Sequence, residues 1–138
     1  MNAILLDSSV IVALLNRRDA GHKRSVRALE EISLPMVTCE AVVTESCHLL
    51  RTIPGAPEEV LLNLQRGMYS IAFDLAARTG AVLALMQKYS DTPAGLADAC
   101  LIQMADDLNT GDILTLDSDF LHYRWRKTKP FNLLIPLT

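Results

Sequence analysis

The chain has 138 residues and a mass of 15.2 kDa, which is enough for one domain but too little for two ordinary ones, so we expect a single domain over residues 1–138. Half of the residues are hydrophobic and 21% are charged, a balance that excludes a disordered polymer and favours a folded globule. A formal net charge of -3 argues against a strongly basic phosphate-binding surface. Nucleic acid stays open as a substrate if bound metal ions change the local charge.

The sequence carries no signal for export or for a membrane. The longest apolar stretches, 10–15 and 81–86, are far shorter than the roughly 18 residues that a membrane-spanning helix requires. The N-terminus has neither a basic start nor a small-residue cleavage site. Cys39, Cys47 and Cys100 lack CxxC spacing, which predicts buried, reduced thiols rather than a disulfide framework or a zinc knuckle. We therefore expect a cytoplasmic protein with no membrane segment.

The first half of the chain alternates short apolar runs with helical periodicity. Ser8 and Ser9 offer a helix N-cap directly after the first apolar run, and Pro57 stands at a position favoured at helix starts. The predicted elements are a strand at 3–6, helices at 10–16 and 21–33, a strand at 36–38, and helices at 40–51 and 58–66.

The second half continues the same alternation. It predicts a strand at 69–73, helices at 75–89 and 96–108, a strand at 113–116, and a last strand within 131–136. Short, fully apolar strands separated by helices are typical of a parallel sheet that is covered on both faces. The predicted class is therefore α/β, with a mainly parallel sheet of four to five strands.

Two of the predicted strands end directly in aspartates, Asp7 and Asp117. In open parallel sheets, ligand sites collect beyond the carboxyl ends of the strands, so both side chains should point toward one crevice. The alternative is that each aspartate only forms a turn or caps a helix.

Two further acids interrupt apolar helical stripes. Glu45 shares a stripe with Ala41 and Leu49, and Asp98 shares one with Ile102, so both carboxylates are predicted to face inward. Such a group is expensive to bury unless it is paired or bound to a cation. A local salt bridge for each acid is the alternative interpretation.

A shared cation explains these acids more simply than separate ion pairs, because most basic residues lie elsewhere, in 17–27 and 124–129. Two carboxylates about 5 Å apart repel by roughly 3 kcal/mol at an effective dielectric of about 20. A divalent ion converts that repulsion into binding. Hard oxygen ligands without a suitable His or Cys set favour Mg²⁺ or Mn²⁺ over Zn²⁺.

Other carboxylate sites fit less well. Glu45 and His48 have the ExxH spacing of di-iron bundles, but the pattern occurs once. Asp117 and Asp119 follow a strand as in haloacid-dehalogenase-like phosphatases, yet too little chain follows them to complete that fold.

Four short motifs in this order resemble the PIN-domain family, and within it the VapC-type toxins of toxin-antitoxin pairs. They are Leu-Leu-Asp7-Ser-Ser, Val-Val-Thr-Glu45-Ser, Gly-Leu-Ala-Asp98-Ala and Ile-Leu-Thr-Leu-Asp117-Ser-Asp119-Phe. The resemblance spans nearly the whole chain and implies a three-layer α/β/α fold.

The resemblance also implies a Mg²⁺- or Mn²⁺-dependent ribonuclease site. It carries catalytic and metal-binding roles onto Asp7, Glu45, Asp98 and Asp117, with Asp119 as an additional or alternative member. Ser9 and Thr115 resemble hydroxyl positions that orient carboxylates or water, although each is equally plausible as a cap or turn residue.

Further expectations concern function and partners. Resemblance to the toxins implies cleavage of RNA, a protein antitoxin and a homodimer. A catalytically inactive PIN scaffold that acts as a binding module and an RNA-processing nuclease that is not a toxin stay open as alternatives.

Two basic segments are candidate RNA contacts. A tail from 123 to 129 combines aromatic and basic side chains that could stack on a base and bind phosphates, and 17–27 is a second basic cluster. A solvated turn that packs Trp125 onto the body is the structural alternative for the tail. The candidate contacts are Arg17, Arg18, Arg124, Trp125 and Arg126.

Overall fold

The computed structural model of the protein describes residues 2–92 and 95–137. The helices are α1 (Ser8–Leu15), α2 (His22–Glu30), α3 (Glu40–Leu49), α4 (Ala56–Gln65), α5 (Leu75–Lys88) and α6 (Leu96–Leu108). The strands are β1 (Ile4–Leu6), β2 (Met36–Thr38), β3 (Ser70–Ile71), β4 (Asp112–Leu114), β5 (Arg124–Trp125), β6 (Lys129–Pro130) and β7 (Asn132–Leu133). A short 3-10 turn covers Ser118–Leu121.

The main sheet has five strands in the order β3-β2-β1-β4-β7, and every neighbouring pair is parallel. Its central strand β1 is completely buried, as its apolar sequence predicts. Leu6 pairs with Leu114, so β1 and β4 end side by side. The predicted α/β class with a mainly parallel sheet is confirmed, and the acids that follow these two strands leave the same edge of the sheet.

The helices cover the sheet as a three-layer α/β/α arrangement, in agreement with the sequence-based expectation. Helix α6 contributes most to the core, with seven buried side chains, and α5 packs against it. Helices α1, α2, α3 and α4 pack against one another. Helix α3 contacts both α1 and α6, so the helices that follow Asp7 and carry Glu45 and Asp98 lie close together near the sheet edge.

The N-cap of α1 differs from the prediction. The cap is Asp7 instead of Ser8 or Ser9, because Asp7 has extended backbone angles and its side chain accepts the Ser8 N–H at 2.8 Å. The acid that ends β1 therefore also begins the next helix.

The C-terminal region differs more. The last strand of the sheet is limited to Asn132–Leu133, and the structure adds an antiparallel ribbon of β5 and β6 that was not predicted. Arg126 and Lys127 form its turn with positive φ values of 45° and 69°. Turns with positive φ values usually contain glycine or asparagine. Arg126 and Lys127 are neither, so the sequence did not predict a hairpin here.

Within the described part of the chain, every helix falls short of the length or the apolar character required to cross a bilayer. All three cysteines are free thiols, with Cys39 and Cys100 buried and Cys47 half-buried.

Gly111 is required by close packing of the ribbon on the sheet. A Cβ at Gly111 would lie 2.2 Å from Nε1 and 2.8 Å from Cε2 of Trp125, whose indole N–H donates to the Pro130 carbonyl at 3.1 Å. We expect Gly111→Ala to lower the free energy of unfolding by about 1–3 kcal/mol, as overpacking does. Gly80 in α5 has nothing within 4 Å of an added Cβ, so Gly80→Ala should raise the free energy of unfolding by about 0.5–1 kcal/mol. Urea denaturation of both variants checks the pair, and shifts of the same sign would contradict this packing.

Candidate active site

Asp7 is held rigidly at the end of β1. Its side chain is buried at 2% exposure, and its Oδ2 accepts hydrogen bonds from Ser9 Oγ at 2.9 Å and Thr115 Oγ1 at 2.7 Å, while Oδ1 accepts the Ser8 N–H. Burial raises the pKa of Asp7, although these donors oppose the change. The two hydroxyls expected to orient carboxylates therefore both contact this acid.

The same hydroxyls shape the loop after β4. Ser9 Oγ accepts the Leu116 N–H at 3.0 Å, and Thr115 Oγ1 accepts the Asp117 N–H at 3.0 Å. Asp117 in turn accepts the Asp119 N–H on Oδ1 at 2.9 Å and caps the 3-10 turn. Asp117 therefore caps the turn with one oxygen and also lines the cavity.

Glu45 reaches the site from α3, but its predicted inward orientation is wrong. The residue is exposed, and Leu49, one turn further along the same stripe, is 51% exposed. The buried side of α3 is instead formed by Val42 and Ser46, which places the predicted stripe at the margin of the core. At that margin Glu45 accepts a hydrogen bond from the Ser8 hydroxyl on Oε1.

Asp98 lies half-buried in the first turn of α6. Its Oδ2 accepts the hydroxyl of Tyr123 at 3.0 Å. Burial, followed by the charge of Asp7, raises the pKa of Asp98 to about 7, and the hydrogen bond from Tyr123 lowers it in part. Burial also raises the pKa of Asp117. The fold thus holds these carboxyls where ionisation without a counterion is unfavourable.

All the predicted acids line one cavity of about 290 Å³, together with Ser8, Ser9, Leu49 and Gly95. Asp98, Asp117 and Asp119 form its tightest group, each offering a carboxylate oxygen within 4.8 Å of the others. Both Asp117 and Asp119 thus belong to the group, whereas Asp7 lies beside it.

No lysine or arginine in the described ranges pairs with these acids. The ion pairs found there, Arg66–Glu59 and Arg78–Asp107, lie outside the cavity. A cluster of carboxylates without an internal cation, in which burial raises the pKa of Asp7, Asp98 and Asp117, suits a hard divalent ion with oxygen ligands. The donor set therefore fits Mg²⁺ or Mn²⁺, and the salt-bridge alternative does not describe this structure.

Two neighbours of the acids were missed from the sequence. Ser8 could have been found, because a hydroxyl beside Asp7 in the first motif is a natural hydrogen-bond donor to a carboxylate. Tyr123 gave no local signal, since it contacts an acid 25 residues earlier.

The ribbon residues proposed as RNA contacts are engaged within the fold. Arg124 donates from its guanidinium to the carbonyls of Leu121 and Tyr123, both at 2.9 Å. The backbone N–H of Arg126 donates to the Asp106 carboxylate. Asp106 follows Asp98 by eight residues on α6, or about 12 Å along the helix axis, so the ribbon turn lies toward the other end of α6.

Arg17 and Arg18 are exposed in the loop between α1 and α2. The backbone N–H of Arg18 donates to Oδ1 of Asn16 at 3.1 Å. The structure leaves both guanidinium groups at the surface.

Comparisons with known proteins agree with this fold. Ribonuclease VapC26 of Mycobacterium tuberculosis (strain ATCC 25618 / H37Rv) is 29% identical over 116 residues, which are 83% of this chain and 86% of that protein. The crystal structure of Mycobacterium tuberculosis VapC20, described as a sarcin-ricin loop cleaving toxin, superposes with a TM-score of 0.81 and covers 92% of this chain and 99% of its own. At 18% identity, that structure shows the shared fold. Both relatives are VapC proteins, as the motifs predicted. The PIN domain model matches residues 4–126, and the chain belongs to the PIN domain family.

Proposed function

We propose that this chain is a metal-dependent ribonuclease that hydrolyses RNA phosphodiester bonds as the toxin of a type II toxin-antitoxin pair. The observation that carries the proposal is the cavity lined by Asp7, Glu45, Asp98, Asp117 and Asp119, in which the acids have no lysine or arginine partner among the described residues. The 29% identical relative is named a ribonuclease, which supports RNA as the substrate.

Asp98, Asp117 and Asp119 would hold Mg²⁺ or Mn²⁺, because their oxygens lie within 4.8 Å of one another. A divalent ion bound there supplies polarisation of water and neutralisation of phosphate charge. Asp7 holds α1 against the loop after β4 through Ser9 and Thr115. Glu45 adds an exposed carboxylate at the same cavity, where a substrate and its water have access.

The direct test is cleavage of single-stranded RNA by the purified chain after treatment with EDTA, followed by addition of Mg²⁺ or Mn²⁺. We expect the chelated protein to be inactive and either ion to restore cleavage, because the carboxylates alone repel an RNA phosphate. Cleavage that persists in excess EDTA would contradict metal dependence. Failure to cleave any tested RNA with either ion present would favour the inactive scaffold.

An antitoxin docking site is proposed at a second, mostly apolar cavity of about 250 Å³ between α1, α2 and α4. Its lining includes Leu14, Leu15, Leu29 and Met68, side chains that suit an apolar segment of a partner. A small neighbouring gene for a DNA-binding antitoxin would support the toxin role, whereas an isolated gene would favour an RNA-processing nuclease.

Further proposals concern assembly, location and substrate contacts. We propose a homodimer, as the resemblance to the toxins implies, for which exposed leucines such as Leu61 at 54% and Leu83 at 53% offer apolar surface. Three free cysteines support a reducing cytoplasmic location. Arg17 and Arg18 are the more accessible candidates for RNA phosphates, and Arg124, Trp125 and Arg126 would contact RNA from the ribbon.

A further inference from the structure

Tyr123 is a buried tyrosine whose hydroxyl contacts one of the acids that line the cavity. Its side chain is fully buried, yet its hydroxyl donates to Oδ2 of Asp98 at 3.0 Å. Tyr123 follows the 3-10 turn and lies outside the four motifs, so the family resemblance assigns it no role. The contact therefore adds a polar group to the site that the acids alone do not explain.

The ring of Tyr123 has little freedom to move. It makes edge-to-face contacts with Phe120 at 5.1 Å and Tyr89 at 5.0 Å between ring centroids, and Phe120 packs in the same manner on Phe131 at 5.4 Å. Packed aromatic rings of this kind restrict rotamers and stabilise their arrangement. The packed aromatic rings thus hold the Tyr123 hydroxyl next to Asp98.

The phenol keeps its proton at physiological pH, so the Tyr123 hydroxyl is the donor to an ionised Asp98 carboxylate. An ionised carboxylate offers only acceptors, and a donor on Oδ2 restrains rotation of the group. Oδ1 of Asp98 is then left for a cation.

We propose that Tyr123 is a positioning residue that fixes the Asp98 carboxylate for binding of the divalent ion. The inference rests on the proposed function, in which Asp98 is a metal ligand. Groups that hydrogen-bond a metal ligand set its orientation, and their loss typically weakens metal binding about tenfold to a hundredfold.

The test compares Tyr123→Phe with Tyr89→Phe, which removes a hydroxyl from the same aromatic cluster. The Tyr89 hydroxyl accepts the backbone N–H of Arg124 at 3.0 Å, whereas the Tyr123 hydroxyl donates to Asp98. Mn²⁺ affinity, measured on the RNA-free protein by titration calorimetry, should fall about tenfold to a hundredfold in Tyr123→Phe and stay unchanged in Tyr89→Phe. The Mn²⁺ concentration for half-maximal cleavage should rise in parallel, with KM for RNA unchanged at saturating Mn²⁺.

A second measurement guards against a general packing effect. In metal-free buffer, a double-mutant cycle between Tyr123→Phe and Asp98→Ala should be non-additive in the free energy of unfolding, because each change removes the same contact.

The outcomes separate the two proposals. If wild-type protein binds Mn²⁺ and cleaves RNA but both phenylalanine variants behave alike, or the cycle is additive, the role of Tyr123 is overturned and the ribonuclease assignment stands. If wild-type protein neither binds Mn²⁺ nor cleaves RNA, both proposals are refuted.

Discussion

Asp98→Asn is expected to reduce metal-stimulated RNA cleavage by on the order of 10²- to 10³-fold, the range seen when one electrostatic group is removed from an active site. Asparagine has nearly the same shape and can still accept the Tyr123 hydroxyl, so the change removes charge more than structure. A neutral amide leaves Asp117 and Asp119 alone in the tight acidic group. Initial rates at several Mn²⁺ concentrations measure the loss.

The same substitution should stabilise the metal-free protein at pH 8. The raised pKa of Asp98, about 7, means that ionisation is less favourable in the folded chain than in the unfolded chain. A neutral side chain avoids that penalty, so activity and stability are expected to change in opposite directions.

Asp107→Asn is the matched control, because Asp107 is an exposed acid on the same helix and pairs with Arg78 at the surface. It should leave cleavage unchanged and alter stability only slightly, as surface pairs do. Retention of full cleavage by Asp98→Asn, or equal loss in both variants, would contradict the placement of the site.

Metal-free protein is expected to become less stable as the pH rises from about 4 to about 7. An aspartate in the unfolded chain loses its proton near pH 3.9, whereas folded Asp98 holds its proton until about pH 7. Between these values the folded state binds more protons than the unfolded state, so the free energy of unfolding falls with rising pH. The raised pKa values of Asp7 and Asp117 act in the same direction.

Urea denaturation in EDTA at pH 5 and pH 7.5 measures this dependence. Mn²⁺ should restore stability at pH 7.5 far more than at pH 5, since a metal ion competes with protons for the carboxylates. Asp98→Asn should flatten the pH dependence. Stability in EDTA that rises over this interval in wild-type protein would show that these carboxyls are not destabilised by burial.

The sequence predicted the parts of the fold that depend on local pattern. Apolar strands ending in Asp7 and Asp117 predicted both the parallel sheet and the edge where the site forms, because strand direction alone places their carboxyl ends together. Where helical periodicity was ambiguous, the prediction failed in detail: Glu45 has apolar neighbours at helical spacing, yet tertiary packing leaves its stripe at the margin of the core.

Features that depend on contacts between distant residues could not be predicted from local sequence patterns. The ribbon turns at Arg126 and Lys127 without the residues that usually signal such a turn. Tyr123 was interpreted as part of a basic, aromatic tail that could stack on RNA, whereas the fold buries its ring and brings its hydroxyl to Asp98. Such contacts depend on how the chain closes on itself.

The hydrogen bonds around Asp7 affect the choice of an inactive variant for crystallography or for co-purification with a partner. Truncation of Asp7 would leave the half-buried Ser9 Oγ and the buried Thr115 Oγ1 and first N–H of α1 without their acceptor, and buried donors without acceptors typically reduce stability by about 1–3 kcal/mol each. An alanine at Asp7 would thus confuse misfolding with loss of chemistry. An inactive protein that still folds is better obtained by substituting a carboxylate whose side chain makes no structural hydrogen bonds.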